Sequence, residues 1–249
     1  MKRKQNHTKT DNNSLKRILS DKTDFDTVET YKTIRTNIMF SMPKTEEGKV
    51  IVVTSSMPNE GKTTTSINLA ITFAQMGARV LLIDCDLRKP RIHRYLNIEK
   101  SEGVSNILCG FCEFDKAVKK GIKENMDCLT SGDNPPNPAE LLETEEYTKL
   151  ISDLKSKYDY IFIDTPPTTI VTDALIMFKQ SSGVVVVTRQ NITSFDLLDI
   201  TMNNISKAKA KVLGVIMLGI NEKSKKYYGK NKYGYKYKYS YKYNDRDDE

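Results

Sequence analysis

The stretch Ser56-Met57-Pro58-Asn59-Glu60-Gly61-Lys62-Thr63 constrains this chain more than any other. The apolar run Val50–Thr54 leads into it, and a helical pattern, Lys62–Met76, leaves it and stops at Gly77. Strand, loop and helix in that order are the setting of a phosphate-binding P-loop, here with serine in the usual first glycine position. Backbone N–H groups of such a loop and the positive end of its helix hold phosphate oxygens. Gly61 has no Cβ to keep the backbone away from the ligand. Lys62 supplies a point charge for the β- and γ-phosphates, and the Thr63 hydroxyl suits magnesium. Ser56 through Thr63, with Thr64 after them, are therefore the expected cofactor-binding residues, and a nucleoside triphosphate is the expected ligand.

Four more apolar runs follow: Val80–Asp84, Tyr160–Asp164, Val184–Thr188 and Val212–Leu218. Strands that are apolar on both faces belong in a mostly parallel sheet with helices on either side, and the intervening segments carry helical patterns. Residues 28–40, Ala139–Lys157 and Thr193–Ala208 are the clearest of these. The expected fold is thus α/β, a P-loop NTPase, spanning 27–221 between flexible tails. Residues 1–26 read as a basic, mobile arm with one helical turn near Leu15–Leu19, and 222–249 as a disordered tail.

Two of the apolar strands end in acids. Asp84 and Asp86 follow one, and Asp164 closes another. Ligands of open α/β sheets bind at the carboxyl ends of the strands, so these carboxylates point toward the phosphates. Magnesium takes oxygen ligands, and Thr63, Asp84 and Asp164 are the expected set. Asp at a strand end also favours turns, but two such strands beside a P-loop favour the metal.

Eight of the chain's 13 tyrosines lie in the tail, at Tyr227, Tyr228, Tyr233, Tyr235, Tyr237, Tyr239, Tyr241 and Tyr243. A nucleotide site on a chain that ends in a row of phenols suggests that the phenols receive the phosphoryl group. The net charge of +7 sits at the ends: residues 1–20 carry six Lys or Arg against one acid, and 222–249 carry nine against five. Basic rings could stack on single-stranded nucleic acid, but the acids at the C-terminus oppose it, and no nucleic-acid partner is expected. No apolar run is long enough to span a membrane. Cys85, Cys109, Cys112 and Cys128 form neither a secreted disulfide framework nor a complete zinc site.

Together these motifs resemble the bacterial tyrosine kinases, P-loop autokinases that regulate capsule and exopolysaccharide synthesis. Asp84-Cys85-Asp86-Leu87-Arg88-Lys89-Pro90 is similar to that family's second acidic motif. Asp164-Thr165-Pro166-Pro167 with Thr172-Asp173-Ala174 resembles its third, and Gly132 through Leu142 resembles its G-x-x-P-P-N-P-x-E-L-L stretch. The resemblance implies ATP and Mg2+ as cofactors, bound by Lys62, Thr63, Asp84, Asp86 and Asp164. It implies phosphorylation of the tail in trans within a homo-oligomeric ring. It also implies a separate transmembrane activator, which would place the chain in the cytoplasm at the inner face of the membrane. The family's ring-contact motif maps to Glu29, Lys32 and Arg35, three residues on one helix face. Lys32 stands where the family has Arg and lacks the planar fork. Leu218 occupies the position at which related ATPases place an adenine-contacting asparagine.

Phosphoryl transfer is mostly positioning and charge neutralisation. A phenol with an ordinary pKa of about 10 must lose its proton as it attacks, and Asp84 or Asp86 is the expected base. Lys62, Asp84, Asp86 and Asp164 are the expected catalytic residues. The rival reading is a partition- or division-type ATPase, whose trans-acting lysine just after the first loop position is here Met57. A third is a binding module built on the basic, aromatic tail. Each phosphotyrosine adds about −1.5 to −2 charges, so phosphorylated tails are expected to repel and open the ring.

Overall fold

The computed structural model describes residues 17–43 and 47–220. Helix α1 (Phe25–Ser41) begins at Asp24, whose Oδ1 accepts the Thr27 N–H at 2.8 Å and satisfies a donor that the first turn leaves open. Strand β1 (Lys49–Ser55) feeds the loop into α2 (Lys62–Ala74), and β2 (Val80–Asp84) follows. Three short helices come next: α3 (Ile92–Tyr95), α4 (Val104–Leu108) and α5 (Phe114–Ala117). Strands β3 (Lys119–Lys123) and β4 (Met126–Leu129) form a hairpin. Helices α6 (Pro138–Leu142) and α7 (Glu145–Lys157) lead to β5 (Tyr160–Asp164). Then come α8 (Asp173–Phe178), β6 (Gly183–Arg189), α9 (Phe195–Lys207) and β7 (Val212–Leu218).

The sheet runs β3-β4-β2-β5-β1-β6-β7. Its pairs are parallel except β3 with β4. Each face carries its own apolar core, because alternate side chains of a strand point to opposite faces. Ile51, Val53, Leu82 and Phe162 pack with Ile67 and Phe73 of α2 on one face. Val50, Val52, Leu81 and Ile163 pack with Leu150, Leu154 and Met177 on the other. The central strands are buried on both faces, which is why they read as continuous apolar runs. Their carboxyl ends, Ser55, Asp84 and Asp164, come out side by side on one edge, with Asp84 directly paired to Asp164 in register.

Three expectations need correction. The helix expected over Ala139–Lys157 is two helices, because the Thr144 hydroxyl accepts the Tyr147 N–H and starts α7 afresh. The β3–β4 hairpin stands in a gap between apolar runs where helical patterns were expected; as an edge strand Lys119-Lys120-Gly121-Ile122-Lys123 tolerates its lysines. The described part of the N-terminal arm is packed rather than detached, while the helical turn expected near Leu15–Leu19 lies partly outside the described residues. Ile18 and Leu19 join the core against α2, where Asn68 accepts the Leu19 N–H at 2.9 Å and donates to the Arg17 carbonyl at 3.0 Å.

Candidate nucleotide and phosphotransfer site

Gly61 has φ +100°, a left-handed conformation that strains any residue with a side chain. A Cβ there would also come within 2.5 Å of the Leu218 side chain. Leu218 is thus set against the P-loop from the end of β7, so packing on the loop is the role its position shows. Asn59, at φ 66°, is the loop's other left-handed residue. Together they fold the loop back over the start of α2, which points that helix's free N–H groups into the cleft.

The cleft is a cavity of about 220 Å³ at the carboxyl edge of the sheet, lined among others by Pro58, Asn59, Lys62, Asp86, Arg91 and Arg189. At its floor Lys62 Nζ lies 3.2 Å from both oxygens of Asp164 and 3.3 Å from Asp86 Oδ2. The Thr63 hydroxyl donates to Asp164 Oδ2 at 2.7 Å. Ser66, one helical turn after Lys62, donates to Asp164 Oδ1 at 3.0 Å. Burial alone would lower the Lys62 pKa, but the charges of Asp164, Asp86 and Asp84 outweigh it and hold the ammonium above its ordinary value. The Asp164 carboxyl is pushed up by burial, and Lys62 and Thr63 work against that push.

Asp84 and Asp86 are held differently. Both oxygens of Asp84 accept backbone N–H groups: Oδ2 from Arg91 at 3.1 Å and Ile92 at 3.0 Å, Oδ1 from Asp86 at 3.2 Å. The carboxylate therefore organises the turn that starts α3. Burial, followed by the charge of Asp164, raises its pKa to about 7. Asp86 takes the Lys89 N–H on Oδ1 at 3.0 Å and turns Oδ2 toward Lys62. Of the two acids, Asp86 is the one that lines the cleft.

Arg88 meets Asp173 through two bonds, Nε to Oδ2 at 2.8 Å and Nη2 to Oδ1 at 3.0 Å. Arg88 thus braces the second acidic motif against the start of α8, and Asp173 is the fully buried partner of a cation. Ser56 and Met57 are fastened rather than open. The Ser56 hydroxyl accepts from Thr201, and the Met57 carbonyl from Ser55 at 2.9 Å. Glu60 is buried beneath the loop. On α1, Lys32 pairs with Glu29 at 2.8 Å, whereas Arg35 reaches the Thr72 carbonyl on α2 at 2.7 Å. The tail tyrosines Tyr227, Tyr228, Tyr233, Tyr235, Tyr237, Tyr239, Tyr241 and Tyr243 lie outside the described residues.

Sequence reasoning missed Ser66, Thr193 and Thr201. Ser66 was within reach of it, since i and i+4 share a helix face and Lys62 was already assigned. Thr193 and Thr201 meet the loop only through folding.

A family model described as an AAA domain matches residues 48–215. The tyrosine-protein kinase YwqD of Bacillus subtilis is 39% identical over 206 residues, covering 83% of this chain and 84% of that one. The tyrosine-protein kinase wzc of Salmonella typhimurium is 34% identical over 83% of this chain, which corresponds to 29% of its own length. The crystal structure of the chimerical protein CapA2B2 superposes with a TM-score of 0.76 at 35% identity, over 82% of this chain and 89% of that one. A mostly parallel P-loop sheet, Lys62 clasped by the acids of two neighbouring strand ends, and a tyrosine-protein kinase matched along 84% of its length agree with one another. The chain belongs to the bacterial tyrosine-protein kinase family.

Proposed function

We propose that this protein is an ATP-dependent protein-tyrosine kinase that phosphorylates the tyrosine-rich tail of a neighbouring copy and thereby regulates capsule or exopolysaccharide synthesis. The observation that carries the reading is the position of Lys62 Nζ, 3.2 Å from Asp164 and 3.3 Å from Asp86 at the mouth of the P-loop helix. A cation, two carboxylates and a hydroxyl converge there on the place where transferred phosphate charge would develop.

The oxygen donors fit magnesium, which keeps several waters and needs one or two carboxylates. Asp164 and Thr63, already 2.7 Å apart, would hold it, with Asp84 adding its charge from behind. Bound there, Mg-ATP supplies the phosphoryl group and a metal charge that neutralises its oxygens. Lys62 would add its charge to the same oxygens. Backbone N–H groups of residues 58–64 orient the triphosphate. Asp86, facing the cleft with one oxygen, accepts the proton of the incoming phenol. Arg88, tied to Asp173, keeps that turn in place.

Among the described residues no helix is long and apolar enough to cross a membrane. This chain corresponds to 29% of the length of wzc, and a separate transmembrane activator is its proposed partner. Glu29, Lys32 and Arg35 would contribute to contacts between copies in a ring. Incubating the chain and its activator with Mg-ATP, then mapping the tail by mass spectrometry, tests the reading. Phosphotyrosine at residues 227–243 that disappears in Lys62→Met supports it, and an unlabelled wild-type tail refutes it.

A further inference from the structure

Glu60 sits between the two left-handed residues of the P-loop, Asn59 and Gly61, yet its side chain is fully buried. Its neighbours Pro58, Asn59 and Gly61 line the cleft, whereas the carboxylate turns the other way. Oε2 accepts the Met57 N–H at 2.9 Å, and Oε1 accepts the Thr193 hydroxyl. The Thr193 oxygen in turn accepts the Arg189 N–H at 2.9 Å, at the end of β6. A buried carboxylate is costly unless it is hydrogen-bonded, and bonds to a charged acceptor are the strong ones. The two ends of this carboxylate therefore fix what they grip.

One grip decides the loop's shape. In a phosphate-binding loop the N–H groups face the ligand, but Glu60 draws the Met57 N–H inward, and Ser55 holds the Met57 carbonyl at 2.9 Å. Both polar backbone atoms of Met57 are thus occupied on the protein side. The other grip fastens the loop to the connection between β6 and α9, just past Arg189, which lines the cleft from the end of β6. We infer that Glu60 is a positioning residue: it meets no ligand itself, but pins Met57 and Thr193 so that the rest of the loop stands ready for phosphate. The inference rests on the nucleotide-binding reading above.

The test is titration of the full chain with a fluorescent ADP analogue and magnesium, run well below the melting temperature of each variant. Glu60→Ala removes both grips and is expected to weaken binding about tenfold or more, as loss of a buried hydrogen-bond partner does. Glu60→Gln can still accept the Met57 N–H and donate to the Thr193 oxygen, so it is expected to recover affinity to within about threefold of wild type. Thr193→Val is expected to weaken binding, with little further loss in the double variant carrying Glu60→Ala, because both changes break one linkage. Wild-type affinity in Glu60→Ala overturns the inference, as does a Glu60→Gln variant as weak as Glu60→Ala. Fully additive losses in the double variant overturn it too. Should Glu60→Ala not fold, the Thr193→Val and Glu60→Gln titrations decide alone: wild-type binding by the former, or a tenfold loss in the latter, refutes it. A wild-type chain that binds no nucleotide removes the underlying reading, and the inference with it.

Discussion

Strand β5 has an aspartate at each end, and the two are treated in opposite ways. Asp159, just before the strand, meets Arg79 with the better geometry: Nη2 lies 2.8 Å from Oδ1 and the Arg79 N–H 2.8 Å from Oδ2. Arg79 holds its carboxyl below the ordinary value. Asp164, at the other end, meets Lys62 at a longer 3.2 Å, and its pKa moves up. The difference is water. The Asp159 pair is screened by solvent, where an ion pair contributes little. The Asp164 pair is buried, where either partner left alone would be an uncompensated charge. Short distances therefore do not mark the important pair in this molecule. The pair in the proposed nucleotide site is the longer one, in the place where desolvation makes charge costly and consequential.

The largest expected break in this contrast comes from Lys62→Met. Removing one electrostatic stabiliser from such a site costs about 100-fold or more in transfer, read as tail phosphotyrosine by mass spectrometry. Retained transfer would show that the buried pair is structural only. Arg88→Ala should come next. It leaves Asp173 fully buried and without its cation, and because Arg88 is itself partly exposed we expect about 2 kcal/mol of lost stability in a denaturant titration. Arg88→Lys, with charge but no fork, should recover only part of that.

A smaller effect is diagnostic by its pH dependence. Asp84 has a raised folded-state pKa of about 7, so folding takes up a proton between the unfolded value and pH 7. The unfolded chain binds fewer protons in that window, and stability falls as pH rises through it. Asp84→Asn should therefore gain melting temperature relative to wild type at pH 8, and the gain should shrink as pH approaches 4. A pH-independent difference would mean that the turn bonds to Arg91 and Ile92, rather than burial of charge, govern this residue. Arg79→Ala should do least: no measurable change in melting temperature, despite breaking a pair as short as 2.8 Å. A clear loss there would undo the comparison.

Much of the sheet could be read in advance because its strands are buried on both faces and give unbroken apolar runs. Val80–Asp84, Tyr160–Asp164 and Val212–Leu218 begin and end where those runs do. The P-loop, Lys62, Thr63 and the strand-end acids were legible for a related reason: the motif is local, and a strand's carboxyl end is known once the strand is. Lys119–Lys123 was not legible, because an edge strand needs no apolar alternation. Nor was the packing of Ile18 and Leu19, which join an apolar cluster and the Asn68 carboxamide far along the chain.

The chain's own order of residues determined a parallel sheet, a phosphate loop and three acids at neighbouring strand ends, since each follows from periodicity or short-range spacing. Only the tertiary structure decided how those acids differ. Asp164 faces Lys62 and Thr63, Asp86 faces the cleft, and Asp84 is turned into backbone N–H groups. It alone joined Arg88 to Asp173 and Glu60 to Thr193. These partners lie many residues apart, and what a carboxylate does depends on the donors and water around it, which no short window of sequence contains.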